Sequence, residues 1–223
     1  MKAMAKIVIF GAGDIAELAH FYFQHDSAHD VVAFSVDGSH LRADRFCGLP
    51  VVAFENLSSA FPPAEHQAFV AMSYAKINQV RADKCAALRA AGYRLASYIS
   101  SRSSIFSDLS SNENCFILED NTIQPFVRIG HNVTLWSGNH IGHHSVIEDN
   151  VFVSSHVVVS GGVTIGDGCF LGVNSTIRDH VKIGRKCVIG AGSLIVADAE
   201  NESVFTAAPA EKSRVPSSRL RRI

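Results

Sequence analysis

The sequence lacks the features that mark membrane-spanning and nucleic-acid-binding proteins. None of its apolar runs approaches the roughly 20 residues that a membrane-spanning helix needs. Its 20 basic and 21 acidic residues leave a net charge of −1, so nothing attracts it to nucleic acid or to an anionic membrane. The one basic run, at residues 213–223, is expected to be an exposed chain end. Nucleic acid and membranes are therefore not predicted partners.

Cysteines are few and lack a pairing pattern. The five cysteines are scattered, odd in number and without a C-x-x-C spacing. We expect all of them to be reduced core residues of a cytoplasmic protein. The start, "MKAMAKIVIFGAG", runs from a strand-like segment into a glycine turn, without the longer apolar core of a secretory signal.

Strand-like and helix-like segments alternate over residues 1–104. Four stretches predict short strands: "KIVIF", "VVAFSVD", "AFVAM" and "YRLASYI". Two others predict helices: "IAELAHFYFQ", with apolar residues at helical spacing, and "INQVRADKCAALRAAG", which Gly92 ends. This alternation predicts an α/β, Rossmann-like small domain built on a parallel sheet.

A strict six-residue period replaces this pattern in the second half of the chain, which we assign as a second domain over residues 105–223. From Ile117, fourteen consecutive hexapeptides each begin with Ile, Leu or Val, and none requires a gap. The fifth position holds Val, Ser, Cys or Ala in all but two blocks, where it is Asn121 or Asn139. Such repetition outranks local propensity as a guide to fold.

A period of six predicts a parallel β-helix with three flat sides. Each hexapeptide forms one side, the first and fifth residues point inward, and the second residue, often Gly, is expected to help the corner turn. Residues 18 apart then stack, with strands of successive coils about 4.8 Å apart. Cys169 and Cys187, which are 18 apart, are expected to be packing residues of one inward column.

With these repeats the chain resembles the hexapeptide-repeat acyltransferases. More narrowly, it is similar to sugar acetyltransferases of the PglD, PerB and NeuD type. The likeness rests on "IVIFGAGDIAE", "FSVDG", "FVAMSYAKINQVR", the hexapeptides and the closing "AAPAEK". It implies a left-handed parallel β-helix, a homotrimer, and acetyl transfer from acetyl-CoA to a sugar.

Three histidines lie close together in "NHIGHHSV": His140, His143 and His144. Because Ile141 points inward, His143 and His144 are expected to face outward at a corner, with Gly161 one coil above His143. A neutral imidazole accepts a proton from an amine or hydroxyl near pH 7. A bare glycine N–H stabilises the oxyanion of a tetrahedral intermediate. The resemblance likewise implies that His143 is the general base and that Gly161 supplies the amide for the acetyl group.

The chain departs from its relatives directly after the base. They have a carboxylate at that position, which raises the basicity of the histidine, whereas this chain has His144. We keep His144 beside His143 as a catalytic candidate. Glu148 and Asp149 are alternative residues for orienting the base.

A second departure concerns a histidine that, in the relatives, follows the base by nine positions and contacts acetyl-CoA. Phe152 occupies that position here, and we keep it as a cofactor-binding candidate. His156, nearby in sequence, is a possible substitute. The resemblance also places Val173 and Ala191 along the groove that holds pantetheine, where ordinary corner residues are the alternative.

Zinc catalysis is the rival interpretation of the histidines, because γ-class carbonic anhydrases use the same prism. Their spacing requires a third ligand five positions after the second. His144 and His180 are 36 apart, but the third position is Arg185, a cation. We therefore predict no metal.

The turn "GAGDIA" fits G-x-G-x-x-A between a strand and a helix, and Asp37 closes the next strand. This layout suits a nucleotide, with turn amides on phosphate and the acid on a ribose. Capping of the helix is the alternative role of Asp14. The sheet is too small for a complete NAD site.

The resemblance implies instead that the front domain holds the nucleotide of an activated sugar. The matching residues are Gly13, Asp14, Asp37 and Ser73. Asn78 and Arg81 are either phosphate or ribose contacts or plain helix-surface residues.

These observations predict a cytoplasmic homotrimer that transfers acetyl from acetyl-CoA to a nucleotide-linked amino sugar for a surface glycan. The sequence leaves two rivals open. One is O-acetylation of sialic acid or another glycan sugar, and the other is a catalytically silent nucleotide-sugar-binding scaffold.

Overall fold

The N-terminal part of the protein is an α/β domain in the computed structural model, which describes residues 5–219. Its elements are β1 (Lys6–Phe10), α1 (Asp14–His25), β2 (Asp30–Val36), β3 (Arg45–Phe46), β4 (Leu49–Ala53), α2 (Leu57–Ala60), β5 (His66–Val70) and α3 (Gln79–Ala90). The sheet order is β3-β4-β2-β1-β5, and only the edge pair β3–β4 is antiparallel. The predicted small parallel sheet is thus present, with a short antiparallel edge.

Strand β1 is covered on both faces, as a nearly continuous apolar run requires. Alternate side chains point to opposite faces. Ile7 and Ile9 pack in one cluster with residues of α1, whereas Val8 and Phe10 pack in another with Cys85 and Leu88 of α3. The sheet therefore lies between α1 and α3, and the loops after its strands lie together at one edge.

The predicted strand "YRLASYI" is wrong as a fourth strand of this sheet. The segment touches the sheet at one bridge, between Ala68 and Leu95. Its end then becomes β6 (Tyr98–Ile99), the first rung of the next domain. Apolar alternation alone does not tell which sheet a strand joins. Strand β4 went unpredicted because Pro50 interrupts its apolar run.

The predicted parallel β-helix is confirmed as three flat sheets. The first face holds β6, β8 (Phe116–Ile117), β11 (Thr134–Leu135), β14 (Phe152–Val153), β17 (Phe170–Leu171), β20 (Val188–Ile189) and β22 (Val204–Phe205). The second face holds β7 (Ser104–Ile105), β9 (Thr122–Ile123), β12 (His140–Ile141), β15 (Val158–Val159), β18 (Thr176–Ile177) and β21 (Leu194–Ile195). The third face holds β10 (Arg128–Ile129), β13 (Val146–Ile147), β16 (Thr164–Ile165) and β19 (Lys182–Ile183).

The register of the β-helix follows the six-residue period. Strands pair in parallel at a spacing of 18, except for the last pair, β20–β22, where it is 16. His140, for example, lies between Thr122 and Val158. The first and fifth residues of all fourteen blocks are buried. The two asparagines at fifth positions are also buried, and their amides hydrogen-bond backbone carbonyls and amides of the corner. Repeats and parallel sheets together fit a left-handed parallel β-helix.

The role expected for the second-position glycines is wrong. The left-handed backbone of each corner falls on the fourth position, at residues such as Asn132, His144 and Asn150. Gly142 instead lies against the next coil, where a Cβ atom would be 2.6 Å from the backbone N of Gly161. Close approach of successive coils, rather than turning, requires glycine there.

Helix α3 ties the two domains together through Arg81. Its guanidinium is buried and donates to Oδ1 and the carbonyl of Asn132 and to the carbonyls of Asn150 and Val151. It also lies 5.6 Å from the ring centroid of Phe152 on the first face. Burial lowers the pKa of Arg81 to about 10. These contacts fix the sheet against the first face.

Four of the five cysteines are buried as expected, but Cys47 is exposed beside the β3–β4 turn, which corrects that expectation. Cys169 and Cys187 stack in one inward column, with the Cys187 N–H 3.3 Å from the Cys169 sulfur. Burial raises the pKa of the Cys169 thiol to about 12, so it stays protonated near neutral pH. Cys169 is therefore a packing residue.

No helix among residues 5–219 is both long enough and apolar enough to cross a membrane. Of the basic C-terminal run, residues 213–219 are exposed, in agreement with the expectation for the part that the structure describes. Residues 220–223 of the run lie outside the described residues.

Candidate functional site

His143 lies at the corner between the second and third faces, with its ring against Gly161 of the next coil. A Cβ atom on Gly161 would be 2.7 Å from Cε1 and 2.8 Å from Nε2 of His143. The predicted stacking of histidine beneath glycine is therefore present. The ring itself is exposed, outside the prism core.

Two further histidines pack on glycines in the same way, but the state of the glycine N–H differs. His156 lies against Gly138 and His180 against Gly162. The Gly138 N–H donates to Glu119, and the Gly162 N–H donates to the carbonyl of His143. Within residues 5–219, the Gly161 N–H donates no hydrogen bond. Only the His143 pair thus combines an imidazole with a free amide donor.

His144 is the side chain that contacts the His143 ring. Their Nδ1 atoms are 3.1 Å apart, a distance at which one must carry the hydrogen and the other accept it. His144 occupies the left-handed corner position, with φ 59°, and its ring packs on Phe126 at a centroid distance of 4.7 Å. The His143 backbone N–H donates to Oε1 of Gln124 at 2.8 Å. The base candidate is thus held by its backbone and by one ring nitrogen.

Neither predicted carboxylate orients His143 within the chain. Oε2 of Glu148 accepts the backbone N–H of Asp167, and Oδ1 of Asp149 accepts that of His131. Both carboxylates stabilise the stacking of adjacent coils along the third face. The alternative prediction, that Glu148 or Asp149 orients His143, is therefore wrong within a single chain.

The three clustered histidines do not converge on one point. His140 is half-buried on the flat second face, whereas His143 and His144 are at the corner. Among the residues that the structure describes, no three metal-ligating side chains come together.

A second set of predicted residues meets in a cleft of about 200 Å³ between the domains. Ser73, Phe152 and Val173 line it, together with Tyr74 and Trp136, which the sequence reasoning missed. Phe152 is only 3% exposed, and Tyr74 packs on it at a ring-centroid distance of 5.2 Å, whereas Val173 is 44% exposed. An apolar wall with serine hydroxyls at its rim suits a ligand with both apolar and hydroxylated parts. One feature of the sequence could have pointed to Trp136. It is the single tryptophan of the chain, and it occupies the second position of its hexapeptide, where many blocks have Gly.

Val173 and Ala191 lie in one column, at the corner between the first and second faces. They are 18 residues apart, and a Cβ atom on Gly172 would be 2.5 Å from the Ala191 backbone N. This is the corner of the cleft, one full face away from His143 and Gly161. A single chain therefore does not bring its cleft and its imidazole–amide pair together. His156, also at the cleft corner, packs on Gly138.

The glycine turn lies at the carboxyl edge of the α/β sheet. Gly11 has φ 129°, and a Cβ atom there would be 2.7 Å from the carbonyl oxygen of Ala71. Helix α1 begins at Asp14 with Gly13 as its N-cap and no capping side chain, so the capping role of Asp14 is wrong. The strand order reverses at β1, because β2 and β5 lie on its two sides. Such a switch point is where open α/β sheets hold ligands.

Asp37 follows β2 at this same edge and is ion-paired with Lys84 of α3. The Lys84 ammonium also lies 4.9 Å and 5.0 Å from the ring centroids of Phe10 and Phe54. Ser73 is exposed after β5 at the same edge. The contact between Lys84 and Asp37 joins two elements that are distant in the sequence, and helical periodicity does not predict such contacts. Lys84 was therefore missed.

Asn78 and Arg81 were predicted to be either phosphate or ribose contacts or plain helix-surface residues, and both predictions are wrong. Each is buried between the domains rather than exposed on a helix surface or open to phosphate. The Asn78 amide donates to the carbonyls of Gly168 and Cys169, while Arg81 bonds the carbonyls already described. Both residues position the domains and are closed to a ligand.

The family model described as "Bacterial transferase hexapeptide (six repeats)" matches residues 126–161, 144–179 and 162–197. No curated protein sequence matches the chain.

Several solved structures share the fold of nearly the whole chain. A histidine-to-asparagine mutant of perosamine N-acetyltransferase from Caulobacter crescentus, in complex with CoA and GDP-perosamine, is 21% identical, with a TM-score of 0.78 over 94% of this chain and 97% of that one. The acetyltransferase domain of PglB from Neisseria gonorrhoeae FA1090 is 17% identical, with a TM-score of 0.77 over 92% and 98%. WeeI from Acinetobacter baumannii AYE is 20% identical, with a TM-score of 0.75 over 94% and 99%. The protein therefore carries the bacterial transferase hexapeptide repeats at residues 126–197 and has the fold of these three proteins along more than nine tenths of its length.

Proposed function

We propose that this protein is an acetyl-CoA-dependent acetyltransferase that N-acetylates an amino sugar carried on a nucleotide. The observation that carries the proposal is the exposed imidazole of His143 lying on Gly161, whose N–H donates no hydrogen bond within residues 5–219. The fold shared with a perosamine N-acetyltransferase and with the acetyltransferase domain of PglB supports it.

His143 and Gly161 supply the two groups that direct acetyl transfer needs. His143 Nε2 accepts a proton from the sugar amine as the nitrogen attacks the thioester carbonyl. The Gly161 N–H donates to the carbonyl oxygen as that atom gains negative charge. When the C–S bond breaks, the imidazolium of His143 returns the proton to the departing thiolate. Charge and atoms balance, and no covalent enzyme intermediate is required.

We propose that His144 accepts a hydrogen bond from Nδ1 of His143 and so holds its useful tautomer. If the Nδ1 atom of His143 carries the hydrogen and donates it to His144, Nε2 of His143 keeps its lone pair for the substrate. His144 therefore does part of the work of a carboxylate, because it fixes the ring, but it adds no negative charge. Gln124 fixes the backbone of the same residue.

The α/β domain is the proposed nucleotide-sugar-binding, Rossmann-like unit. Gly13, Asp14, Asp37 and Ser73 all lie at the carboxyl edge of its sheet, where phosphate and ribose are held in folds of this type. The adjoining cleft, with Val173 and Phe152, is the proposed route for the sugar and the pantetheine arm. Ala191 continues that groove along the same corner.

A second copy of the chain has to complete the site, since the cleft and His143 lie at different corners of one prism. Within the strands of the second face, the outward side chains are uncharged: Ser104, Thr122, His140, Val158, Thr176 and Leu194. We propose that this face packs in a homotrimer that places the cleft of one copy beside His143 of the next. Acetyl-CoA and nucleotide sugars are cytoplasmic metabolites, so we place the reaction there.

The release of free CoA thiol from acetyl-CoA tests the proposal. The purified protein is incubated with a panel of nucleotide sugars, half carrying an amine and half carrying hydroxyls only. The proposal expects release with at least one amino sugar and an N-acetylated product by mass spectrometry. Release only with hydroxyl sugars would replace N-acetylation by O-acetylation, and binding of every sugar without release would leave a silent scaffold.

A further inference from the structure

Lys84 lies at the edge where the α/β strands end, and three groups hold its ammonium there. Phe10 ends β1, Phe54 follows β4, and their rings are T-shaped with centroids 5.7 Å apart. The Lys84 Nζ atom lies 4.9 Å and 5.0 Å from the two centroids. Cation–π contacts of this length are attractive and restrict the ammonium to one place. The Asp37 carboxylate is the third group.

The ion pair leaves part of the Asp37 carboxylate available. Lys84 binds Oδ1, and within residues 5–219 Oδ2 accepts no hydrogen bond. The side chain of Asp37 is 32% exposed and that of Lys84 only 20% exposed. The Asp37 carboxylate therefore has one oxygen fixed by Lys84 and one oxygen free to accept a hydrogen bond from a ligand.

An ionised carboxylate oxygen accepts hydrogen bonds only, so its partner must be a donor. At the end of the second strand of a nucleotide-binding sheet, that donor is the 2′-hydroxyl of a ribose. We propose that Lys84 is a positioning residue for ribose recognition: it holds the Asp37 carboxylate so that Oδ2 accepts the 2′-hydroxyl of a nucleoside diphosphate. This inference rests on the proposed function, since it specifies how the nucleotide of the acceptor sugar is recognised.

The geometry favours this role over a direct contact between Lys84 and phosphate. The ammonium is enclosed by two rings and a carboxylate, and four fifths of the side chain is covered. At the start of α1, the N–H groups of Asp14 and Ile15 donate no hydrogen bond within residues 5–219 and are open donors at the same edge. Phosphate therefore has its own donors, while Lys84 acts through Asp37.

Binding of nucleoside diphosphates to the full chain tests the inference by calorimetry. UDP, GDP, ADP and CDP are titrated first, and the tightest is then compared with its 2′-deoxy form. We expect the wild type to prefer the ribose form by about tenfold or more, as a hydrogen bond to a charged group implies. Binding of none of the four, or equal affinity for the two forms, would overturn the inference.

Variants separate positioning from other roles. Lys84→Met keeps the stem between the rings but removes the charge, so the ratio of the two dissociation constants should approach one. Lys84→Arg should restore most of the preference, and Asp37→Ala, which has no side-chain acceptor, should lose it even if Lys84→Met fails to fold. In acetyl transfer, Lys84→Met should raise the KM for the nucleotide sugar and leave kcat unchanged, since the ribose is remote from the thioester.

A matched control is available on the same helix. Arg89 of α3, five residues after Lys84, forms an ion pair with Glu113 at 2.7 Å instead of with Asp37, so Arg89→Met should keep the ribose preference. An equal loss of affinity for both nucleotides in Lys84→Met would mean that Lys84 contacts the diphosphate and would overturn the inference. Acetyl transfer without ribose preference would remove this inference alone, and ribose preference without transfer would remove the proposed function alone.

Discussion

At the scale of single residues, three imidazoles pack on glycines along the corners of this β-helix, and they differ in what the glycine amide does. The N–H groups of Gly138 and Gly162 donate hydrogen bonds to carbonyls of the adjacent coil. The amide of Gly161 is free within the described residues, and a Cβ atom there would collide with the His143 ring. Glycine is required at 161 both for close approach and for an unobstructed donor.

Replacement of His144 tests how the neighbouring ring serves His143. Asparagine already occupies the same left-handed corner position at residues 132, 150 and 174, so His144→Asn should preserve the turn. Its Oδ1 atom is still an acceptor, and we expect kcat to fall by only about tenfold or less, as for one neutral hydrogen bond. His144→Ala, which has no acceptor, should fall further.

The variant His144→Asp adds the charge that a neutral ring does not supply. A carboxylate beside an imidazole stabilises the protonated form. The base is then lost to protonation at a higher pH, so the acid side of the kcat/KM profile should move upward in pH relative to wild type. An unchanged profile in both His144→Asp and His144→Asn would contradict a contact between the two rings in solution.

At the scale of elements, helix α3 holds the two domains in one arrangement. Arg81 lies between them with four hydrogen bonds to the β-helix, and Asn78 bonds two further carbonyls. Lys84, one turn further along, faces the crevice instead. Helix α3 and its N-cap Asn78 thus fix the β-helix against the sheet through Asn78 and Arg81, and they fix the Asp37 carboxylate through Lys84.

Substitution of Arg81 should destabilise the whole protein. Arg81→Met fills the space but leaves buried carbonyls of the β-helix without donors, which we expect to cost about 2 kcal/mol or more. For a chain of this length, that lowers the thermal midpoint by about 4 °C or more. The control is Arg89→Met, which breaks a half-exposed ion pair and should cost about 1 kcal/mol at most. Equal thermal midpoints for the two variants, measured by calorimetry, would contradict the claim that Arg81 stabilises the contact between the two domains.

The sequence was informative wherever a single period governs burial. All fourteen aliphatic first positions of the hexapeptides are buried, because a coil of three equal sides leaves them no other place. It was misleading for Asn78 and Arg81, because a buried polar residue on a helix looks the same in sequence as an exposed one. It was silent on Lys84 and Tyr74, whose partners come from segments distant in the chain. The period and spacing of residues predict individual strands, helices and coils, whereas contacts between these elements depend on the whole fold.

At the scale of the whole molecule, the two halves of the candidate site lie on different corners of one prism. The cleft with Val173 belongs to the corner between the first and second faces, and His143 belongs to the corner between the second and third faces. The second face, whose strands carry no charged outward side chain, lies between them. Assembly through this face is the simplest way to bring a cleft and an imidazole together.

A charge placed on the second face should prevent assembly. Leu194 is 66% exposed on this face, and Leu194→Arg would bury a cation without a partner at the interface. We expect light scattering to give the mass of three chains for wild type and of one chain for the variant, with loss of acetyl transfer. Thr164→Arg, on the third face, is the control and should stay trimeric. Monomeric wild type with full activity would contradict this arrangement.

The central claim is that the imidazole of His143, held beneath a free amide, removes the proton during acetyl transfer. The most direct measurement is kcat/KM for His143→Ala, with His180→Ala as the control, because His180 packs on Gly162 in the same way but beside an amide already bonded. We predict that His143→Ala loses about a hundredfold or more, as expected for a general base, and that His180→Ala keeps nearly all of its activity. Retention of near-normal kcat/KM by His143→Ala, or an equal loss in both variants, would contradict the claim.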